Sequence, residues 1–290
     1  MTELAFTKMH GLGNDFVVID ARTGKPGAGV AISAAQASAI ADRRTGVGCD
    51  QFIIIADASG GEANEGVDAF MRIRNADGGE VDACGNATRC IGAVLLDESG
   101  KDTVLIRTGA DLLTVTRAGY GLVTVDMGVA RVGWDEIPLS AEADTLHLDL
   151  SRGPLSDPAA ASMGNPHATF FVDDAEAVAI AEYGPGLEHD PIFPERANIG
   201  VAQILAPDRM RLRVWERGVG LTSACGTGAC AAVVNAHRRG LAGRRMVVVV
   251  DGGELLIDWR EDRPGGAGRV FMTGPAETSF SGALTLGVLS

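Results

Sequence analysis

Two cysteines of this chain lie in nearly the same short sequence. Cys84 occurs in "DACGNATRC" and Cys225 occurs 141 positions later in "SACGTGACA", each followed by glycine, a small polar residue and a stretch able to form a helix. A helix N-terminus has unpaired N–H groups and a partial positive charge, which favour a thiolate and can hold a carboxylate. Two such thiols could remove a proton from one face of a carbon and return one to the other face. That chemistry inverts a stereocentre.

Other roles for the cysteines predict different patterns. The pairs Cys84/Cys90 and Cys225/Cys230 are six and five residues apart, whereas zinc pairs usually have two to four residues between them. On a helix these spacings turn the side chains to different faces, so no metal site is predicted. Buried structural thiols are expected at Cys49, Cys90 and Cys230. A redox-sensing thiol pair is the non-enzymatic alternative, and it predicts oxidant-linked activity without exchange at a substrate carbon.

The lysines argue against the usual electron sink for amino-acid racemisation. Pyridoxal phosphate needs a lysine for its Schiff base, and Lys8, Lys25 and Lys101 lie in no recognisable setting for it. Two helix N-termini aimed at a carboxylate could instead stabilise the enolate-like charge that forms when an α-proton leaves. The sequence therefore predicts chemistry without a cofactor.

Composition excludes several classes of protein. The 290 residues carry a formal net charge of −13 without a basic run, so nucleic acid is not an expected partner. The N-terminal residues lack the pattern of a secretory signal, and apolar runs such as "FIIIA" are too short to span a membrane. Five cysteines in such a chain indicate reduced thiols in the cytoplasm.

The chain also repeats itself, which predicts a duplicated fold. Short β-rich runs dominate, and Asn75 and Glu216 each lie nine residues before one of the two cysteines. Other echoes, in the same order, pair Gly13-Asn14 with Gly164-Asn165, Gly48 and Gln51 with Gly200 and Gln203, and Met71-Arg72 with Met210-Arg211. Helices are predicted at Ser33–Asp42, Asn86–Glu98, Ala175–Glu182 and Thr227–Arg239.

Five segments carry a resemblance to the diaminopimelate epimerase family: "KMHGLGNDFVVID", "RNADGGEVDACGNATRC", "GNPH", "RANIG" and "WERGVGLTSACGTGACA". The resemblance implies cofactor-independent interconversion of LL- and meso-diaminopimelate, for lysine and peptidoglycan precursors. It implies an α+β fold of two similar domains related by a pseudo-twofold axis, each a mostly antiparallel sheet around a central helix. Residues 1–125, joined by the returning segment 276–290, would carry Cys84, and residues 126–275 would carry Cys225. The implied partner is a small molecule, and a homodimer is compatible with the sequence.

The resemblance also implies a set of site residues. Cys84 and Cys225 would be the acid–base pair, and His167 and Glu216 would tune the two thiols. Arg217 could grip a distal carboxylate in a fork while Glu216 takes the distal ammonium. The full set of implied substrate contacts is Asn14, Gln51, Asn75, Gly85, Asn86, Asn165, Asn198, Glu216, Arg217, Gly226 and Thr227.

Simpler explanations stay open for several of these residues. Asn14, Asn75 and Asn165 lie beside glycines or in turn-forming sequence and could be turn residues. Arg217 could be a solvated charge, and Gln51 could serve only its strand.

Related families and departures from the family pattern bear on the same prediction. Enzymes resembling proline racemase also use two cysteines, but their substrates lack a distal amino-acid end for Glu216 and Arg217. Phenazine-pathway isomerases use a carboxylate where this chain has Cys84. Leu221 stands where many family members have glutamate, and "GNAT" stands where "GNG" is frequent. Neither departure removes a thiol.

Overall fold

The structure is a computed structural model that describes residues 3–82, 84–119, 121–261 and 268–285. The chain divides into two units, Met1–Val125 with Gly274–Ser290, and Asp126–Thr273. Residues 286–290 of the segment predicted to return to the first domain lie outside the described residues.

The first unit consists mainly of strands, with one long helix. Its helices are α1 (Ala34–Ala41), α2 (Gly60–Asn64) and α3 (Gly85–Ser99). Its strands are β1 (Glu3–Gly11), β2 (Asn14–Asp20), β3 (Gln51–Ala56), β4 (Ala69–Asn75), β5 (Glu80–Val81), β6 (Thr103–Arg107), β7 (Leu112–Gly119) and β19 (Glu277–Thr285). The chain passes from one unit to the other within β8 (Leu122–Val129) and again within β18 (Arg269–Pro275).

The second unit likewise consists mainly of strands, with one long helix. Its helices are α4 (Ile180–Glu188) and α5 (Gly226–Arg238). Its strands are β9 (Ser151–Arg152), β10 (Leu155–Ser156), β11 (Ala159–Ser162), β12 (Pro166–Phe171), β13 (Asn198–Ala206), β14 (Arg209–Glu216), β15 (Gly220–Thr222), β16 (Arg245–Val250) and β17 (Gly253–Arg260).

The two units have the same strand topology around their long helices. In the first, β2 is parallel to β3, β4 returns antiparallel, and after the short β5 and the helix α3, β6 joins β4 in parallel and β7 closes a hairpin. In the second, β12 to β17 and α5 repeat every one of these steps. The predicted duplicated α+β fold is thereby confirmed.

Strand registers correct two of the sequence echoes. Gln51 lies opposite Phe16 and Asn75, and the corresponding position in the second unit, opposite His167, is held by Asn198. The echo of Gln51 with Gln203 is therefore wrong, because the connection between the two parallel strands is shorter in the second unit and shifts the offset. The same registers pair Met71-Arg72 with Leu212-Arg213 rather than with Met210-Arg211.

The helices mostly begin where the sequence predicts. α1 begins after Ser33, whose side chain forms a capping box with Gln36. The helix predicted at 175–182 is wrong at its start, since α4 begins at Ile180. Ahead of α4 the Asp174 carboxylate accepts the N–H groups of Glu176 and Ala177 at 2.9 and 3.4 Å and closes a local turn.

Each long helix is wrapped by the strands of its own unit. α5 packs against β11, β12, β13, β14, β16 and β17, and from Gly228 to Ala236 its residues are buried. Their small side chains (Ala229, Ala231, Ala232) let strands approach from several sides. α3 packs against β1, β6 and β7. A buried helix keeps its N-terminus in a fixed place, which is what a residue just before it needs in order to do chemistry.

Candidate active site

Cys84 immediately precedes α3 and caps it. Its backbone is extended (φ −151°, ψ 110°), and its sulfur accepts the N–H of Ala87 at 3.5 Å. Its carbonyl oxygen accepts the backbone N–H and the hydroxyl of Thr88, both at 2.9 Å. The sulfur is thus held over the first turn of the helix, where N–H groups favour a thiolate.

A tight turn places Asn14 next to this sulfur. Leu12 and Gly13 both have positive φ, 57° and 85°, and form the two-residue turn of the hairpin in which Gly11 pairs with Asn14. The Asn14 Oδ1 atom accepts from Asn86 Nδ2 at 3.1 Å and lies 3.9 Å from Cys84 Sγ. Asn14, Asn86 and Cys84, three residues predicted for the site, are therefore brought together.

Behind Asn14 lies a charged cluster that sequence reasoning missed. Asn14 Nδ2 donates to Asp50 Oδ2 at 2.9 Å, and Arg43 bridges Asp50 and Asp15 with 2.7 Å contacts to each carboxylate. Lys8, which is buried, also donates to Asp15. Burial alone would raise the pKa of Asp15, but the hydrogen bonds from Arg43 and Lys8 outweigh it and hold that pKa well below its ordinary value. In the sequence Asp15 begins the β-rich run "DFVVID" and Asp50 lies two residues before "FIIIA", which does not indicate that they meet.

The remaining predicted amides of the first unit bind each other. Gln51 Nε2 donates to Asn75 Oδ1 at 3.0 Å, across the β3–β4 pair where the two residues are directly opposite. The backbone of Asn75 also closes a turn, with its N–H bound to the Gly79 carbonyl and its carbonyl accepting the Gly78 N–H. The backbone of Asn75 therefore forms the turn that the sequence suggested, while its side chain binds Gln51.

Cys225 immediately precedes α5 at the equivalent position, but it is only 4% exposed. Burial raises the pKa of this thiol well above its ordinary value, and the negative charge of Glu216, to which the thiol is hydrogen-bonded, raises it further. The N–H of Gly228 and the hydroxyl of Thr227, whose Oγ1 lies 3.7 Å from the sulfur, act in the opposite direction and are outweighed. A side chain at Gly228 would lie 3.1 Å from the sulfur, so glycine there makes room for it.

Glu216 ends β14 and is held there by a neighbouring strand. Its backbone pairs with Gly220, and its carboxylate accepts the hydroxyl of Thr222. Thr222 lies three residues before Cys225 in the chain, so the pairing of β15 with β14 brings the Glu216 carboxylate close to the thiol. Glu216 therefore lies where it was predicted to act, beside one of the two thiols.

His167 reaches the same thiol through two intermediates. Its Nε2 is 2.9 Å from Asn165 Oδ1, Asn165 Nδ2 donates to Thr227 Oγ1 at 3.4 Å, and that hydroxyl contacts Cys225. Burial, assisted by the charge of Arg217, lowers the pKa of His167 from 6.5 to about 3. His167 is therefore neutral near pH 7.

Asn198 and Arg217 form the other part of the second unit's site. Asn198 is buried and bonds Pro166 O through its Nδ2 at 2.9 Å, while its Oδ1 accepts the Arg217 N–H at 3.0 Å. Arg217 Nη1 donates to the Glu195 carbonyl at 3.0 Å. The buried carboxylate of Glu188, another residue missed from the sequence, accepts the N–H of Gly218 at 2.8 Å. The hydrogen bonds from Asn198 and Glu188 to the backbone of residues 217 and 218 thus hold the turn that carries Arg217.

Gly85 and Asn86 open α3, and Gly226 and Thr227 open α5, so their backbone N–H groups lie in the first turns as predicted. The other three cysteines, Cys49, Cys90 and Cys230, are buried, which fits structural roles.

Two kinds of feature are absent from the described part of the chain. No group of three or more His, Cys, Asp or Glu side chains there is arranged to hold a metal ion. No helix formed by those residues is both long and apolar enough to cross a membrane.

The fold of the chain is shared with solved structures of low sequence identity. A phenazine biosynthesis protein of the PhzF family from Bacillus anthracis superposes with a TM-score of 0.69 at 16% identity, over 98% of this chain and 100% of that one. A hydroxyproline epimerase from Agrobacterium vitis superposes with a TM-score of 0.67 at 16% identity, over 98% and 92%. At such low identity these structures establish the shared fold.

Sequence comparison identifies the family. Residues 6–133 and 159–279 match the family model described as diaminopimelate epimerase. A protein of that name from Acidiphilium cryptum is 56% identical over 285 residues, covering 98% of both chains. Another from Rhodospirillum centenum is 52% identical, covering 97% of this chain and 92% of its own. The chain therefore belongs to the diaminopimelate epimerase family, and it is an isomerase.

Proposed function

We propose that this protein interconverts LL- and meso-diaminopimelate without a cofactor, with Cys84 and Cys225 as the two acid–base groups. The observation that carries the proposal is the repeated placement of the two thiols. Each cysteine directly precedes a buried helix at the equivalent point of a duplicated unit. The relatives named diaminopimelate epimerase, which are 52–56% identical to this chain, support the choice of diaminopimelate as the substrate.

The surroundings of each sulfur suit a group that gains and loses a proton in every turnover. Ala87, three residues after Cys84, donates its N–H to that sulfur at 3.5 Å, and the N–H of Gly228, three residues after Cys225, lowers the pKa of the second thiol. Each sulfur also has an oxygen acceptor beside it, Asn14 Oδ1 for Cys84 and the Glu216 carboxylate for Cys225. The N–H serves the thiolate and the acceptor serves the thiol, so both protonation states have a partner.

In the proposed reaction one thiolate takes the α-proton, and the C–H electron pair moves toward the substrate carboxylate. The opposite thiol gives its proton to the other face of the carbon, which leaves the two sulfurs with exchanged protonation states. The first-turn N–H groups of Gly85, Asn86, Gly226 and Thr227 would stabilise the enolate-like charge. No atom is gained or lost, and no electron acceptor is needed.

The two thiols would start in different states. Burial and the Glu216 carboxylate raise the pKa of Cys225, so Cys225 begins as the proton donor. Cys84 is half-exposed, and its neighbouring acceptor is an uncharged amide. We infer that Cys84 is the thiol that begins as the base.

Selectivity would come from the amides and charges around the two thiols. Arg217 suits the distal carboxylate and Glu216 the distal ammonium. Asparagine and glutamine side chains offer both a donor and an acceptor without adding charge, which suits a zwitterionic substrate. Asn14, Gln51, Asn75, Asn165 and Asn198 would act in this way.

The cellular setting follows from the chemistry. All five cysteines are free, and thiols that must stay reduced belong in a reducing compartment. We therefore place the enzyme in the cytoplasm, in the synthesis of lysine and peptidoglycan precursors, where it would work without nucleic-acid or membrane partners. A homodimer remains part of the proposal.

The experiment follows LL-diaminopimelate by NMR in D2O with reduced enzyme. We expect the α-proton signal to disappear and the meso isomer to form without added cofactor. Cys84→Ala and Cys225→Ala should each lower the rate by at least about 1000-fold, whereas the control Cys230→Ala, which alters a buried thiol of the same helix as Cys225, should keep most activity. Full activity in either catalytic variant would contradict the two-thiol mechanism. Exchange of proline but not of diaminopimelate would contradict the substrate assignment.

A further inference from the structure

We propose that Asp50 is a positioning residue that decides which end of the Asn14 amide faces Cys84. An ionised carboxylate can only accept hydrogen bonds. Asp50 Oδ2 accepts from Asn14 Nδ2 at 2.9 Å and from the Asp15 N–H at 3.1 Å. The NH2 group of Asn14 must therefore face Asp50, and its oxygen must face Asn86 and Cys84.

Asp50 is held through both of its carboxylate oxygens, although 43% of its side chain is exposed. Arg43 Nη2 contacts Asp50 Oδ1 at 2.7 Å and also Asp15 Oδ1 at 2.7 Å. The Asp50 N–H in turn donates to Asp15 Oδ1 at 2.9 Å. Reciprocal hydrogen bonds from the backbone N–H of each aspartate to the carboxylate of the other thus join the starts of β2 and β3. These bonds, with the contacts of Arg43, are called the clasp below. One carboxylate oxygen of Asp50 is left directed at Asn14.

The second unit holds its equivalent asparagine the other way round. Asn165 Oδ1 lies 2.9 Å from His167 Nε2, so its oxygen faces away from the helix start. Its Nδ2 donates to Thr227, the counterpart of Asn86. The duplicated backbone therefore does not dictate the amide orientation. In the first unit the partner is an aspartate, which can only accept, whereas in the second it is His167 Nε2, which must donate in order to bond the Asn165 oxygen.

The orientation matters for the role proposed for Cys84, and to that extent this inference rests on the proposed function. With the oxygen toward the sulfur, Asn14 offers an acceptor to the thiol, and Ala87 offers a donor to the thiolate. If the NH2 group faced the sulfur instead, two donors would stabilise the thiolate. A thiolate stabilised in this way is a weaker base, and proton transfer from carbon would slow.

Two substitutions of Asp50 separate orientation from stability. In Asp50→Asn, Arg43 retains the new amide oxygen, so the new NH2 group faces Asn14 and forces that amide to turn over. In Asp50→Ala there is no side-chain polar group, and water can take the place of the acceptor. We expect kcat to fall about 10- to 100-fold in Asp50→Asn and only about threefold in Asp50→Ala. Thermal stability should fall in the opposite order, because alanine loses every side-chain bond of the clasp.

Asp57→Asn is the matched control. Asp57 belongs to the same unit, and its carboxylate likewise accepts a backbone N–H and a side-chain group, both from Thr23, at 2.9 and 2.7 Å. Neutralising it should leave kcat within about twofold of the original value, since surface substitutions usually have small effects. A loss as large as that of Asp50→Asn would show a general charge effect and overturn the proposal.

NMR of the reduced protein reads the orientation directly and needs no turnover. The side-chain NH2 protons of Asn14 should show a nuclear Overhauser effect to the Asp15 amide proton in the original protein, and to the Asn86 side-chain amide in Asp50→Asn. Unchanged contacts in Asp50→Asn, or a larger loss of kcat in Asp50→Ala than in Asp50→Asn, would overturn the proposal. If the original protein did not epimerise diaminopimelate at all, the proposed function would fail, while these contacts would still decide the orientation.

Discussion

The two cysteines share a backbone setting and differ in almost everything around it. Cys84 is half-buried and contacts the Asn14 amide oxygen, which also accepts from Asn86. Cys225 is 4% exposed and lies between the carboxylate of Glu216 and the hydroxyl of Thr227. The repeated fold supplies a helix N-terminus to each thiol, while burial and the Glu216 carboxylate raise the pKa of Cys225.

The difference is concentrated at a few equivalent positions. Nine residues before each cysteine stands an amide in the first unit and a carboxylate in the second, Asn75 and Glu216. Two residues after it stand Asn86 and Thr227. In the proposed mechanism one thiol acts as acid while the other acts as base, and this asymmetry would give the pair a defined starting state. Each substitution below removes or transfers one of these differences.

The largest effect is expected for Glu216→Gln. The carboxylate raises the pKa of Cys225 because a second negative charge beside it is unfavourable, so its loss should lower that pKa. Alkylation of Cys225, followed by peptide mass spectrometry across a pH series, should then begin at lower pH. We expect kcat to fall about 100-fold. Glu254→Gln, which alters an exposed ion pair with Arg209 in the same unit, is the control, and an unmoved alkylation profile in Glu216→Gln would contradict the assignment.

The next effect concerns stability and pH. Burial lowers the pKa of His167 from 6.5 to about 3, so between these values the unfolded chain takes up a proton that the folded protein refuses. The titration of His167 therefore lowers the free energy of unfolding by about 1.4 kcal/mol for each pH unit between about 6.5 and 3. Phe16 occupies the equivalent position in the first unit, which makes His167→Phe the informative change.

Urea unfolding at pH 7, 6 and 5 measures that contribution. The free energy of unfolding of His167→Phe should vary less with pH than that of the original protein, by about 2 kcal/mol between pH 7 and pH 5. Equal dependence on pH in the two proteins would show that His167 is not held neutral.

The predictions that succeeded from sequence rest on local rules. A cysteine followed by glycine and small residues predicts a helix start, and α3 and α5 begin one residue earlier than expected, at Gly85 and Gly226. The thiols and the duplication could be found because a repeated motif keeps its own internal spacing. Those features need no knowledge of tertiary contacts.

The features that were missed depend on strand register across loops of unequal length. Asp50 acts on Asn14, 36 positions away, only because β2 and β3 lie side by side. The equivalence of Gln51 with Asn198 is likewise visible only in the pairing of the strands, because the loops that precede the two residues differ in length. Glu188 reaches Gly218 across 30 positions. Spacing along the chain carries no record of such contacts.

A smaller effect is expected from Asn86→Thr, which gives the first unit the residue of the second. Asn86 Nδ2 donates to Asn14 Oδ1 at 3.1 Å, and a threonine hydroxyl is too short to keep that geometry. Asn14 would remain oriented by Asp50, so we expect kcat/KM to fall by only about five- to tenfold, the cost of one hydrogen bond. The deuterium exchange assay measures it, with Thr227→Asn as the reciprocal variant. A loss of 1000-fold would mean that Asn86, rather than the helix N-terminus, carries the effect on Cys84.

The smallest effect is expected where the chain departs from the family pattern. Leu221 lies in β15 opposite Trp215 and is 42% exposed. The Glu216 carboxylate is already bound by Thr222, so a glutamate at position 221 would add a solvated charge rather than a new partner for Cys225. Leu221→Glu should change the free energy of unfolding by less than about 0.5 kcal/mol and leave the alkylation profile of Cys225 in place. A shift of that profile to higher pH would show that the thiol senses a second carboxylate, and the asymmetry between the two halves would then be weaker here than in family members that keep the glutamate.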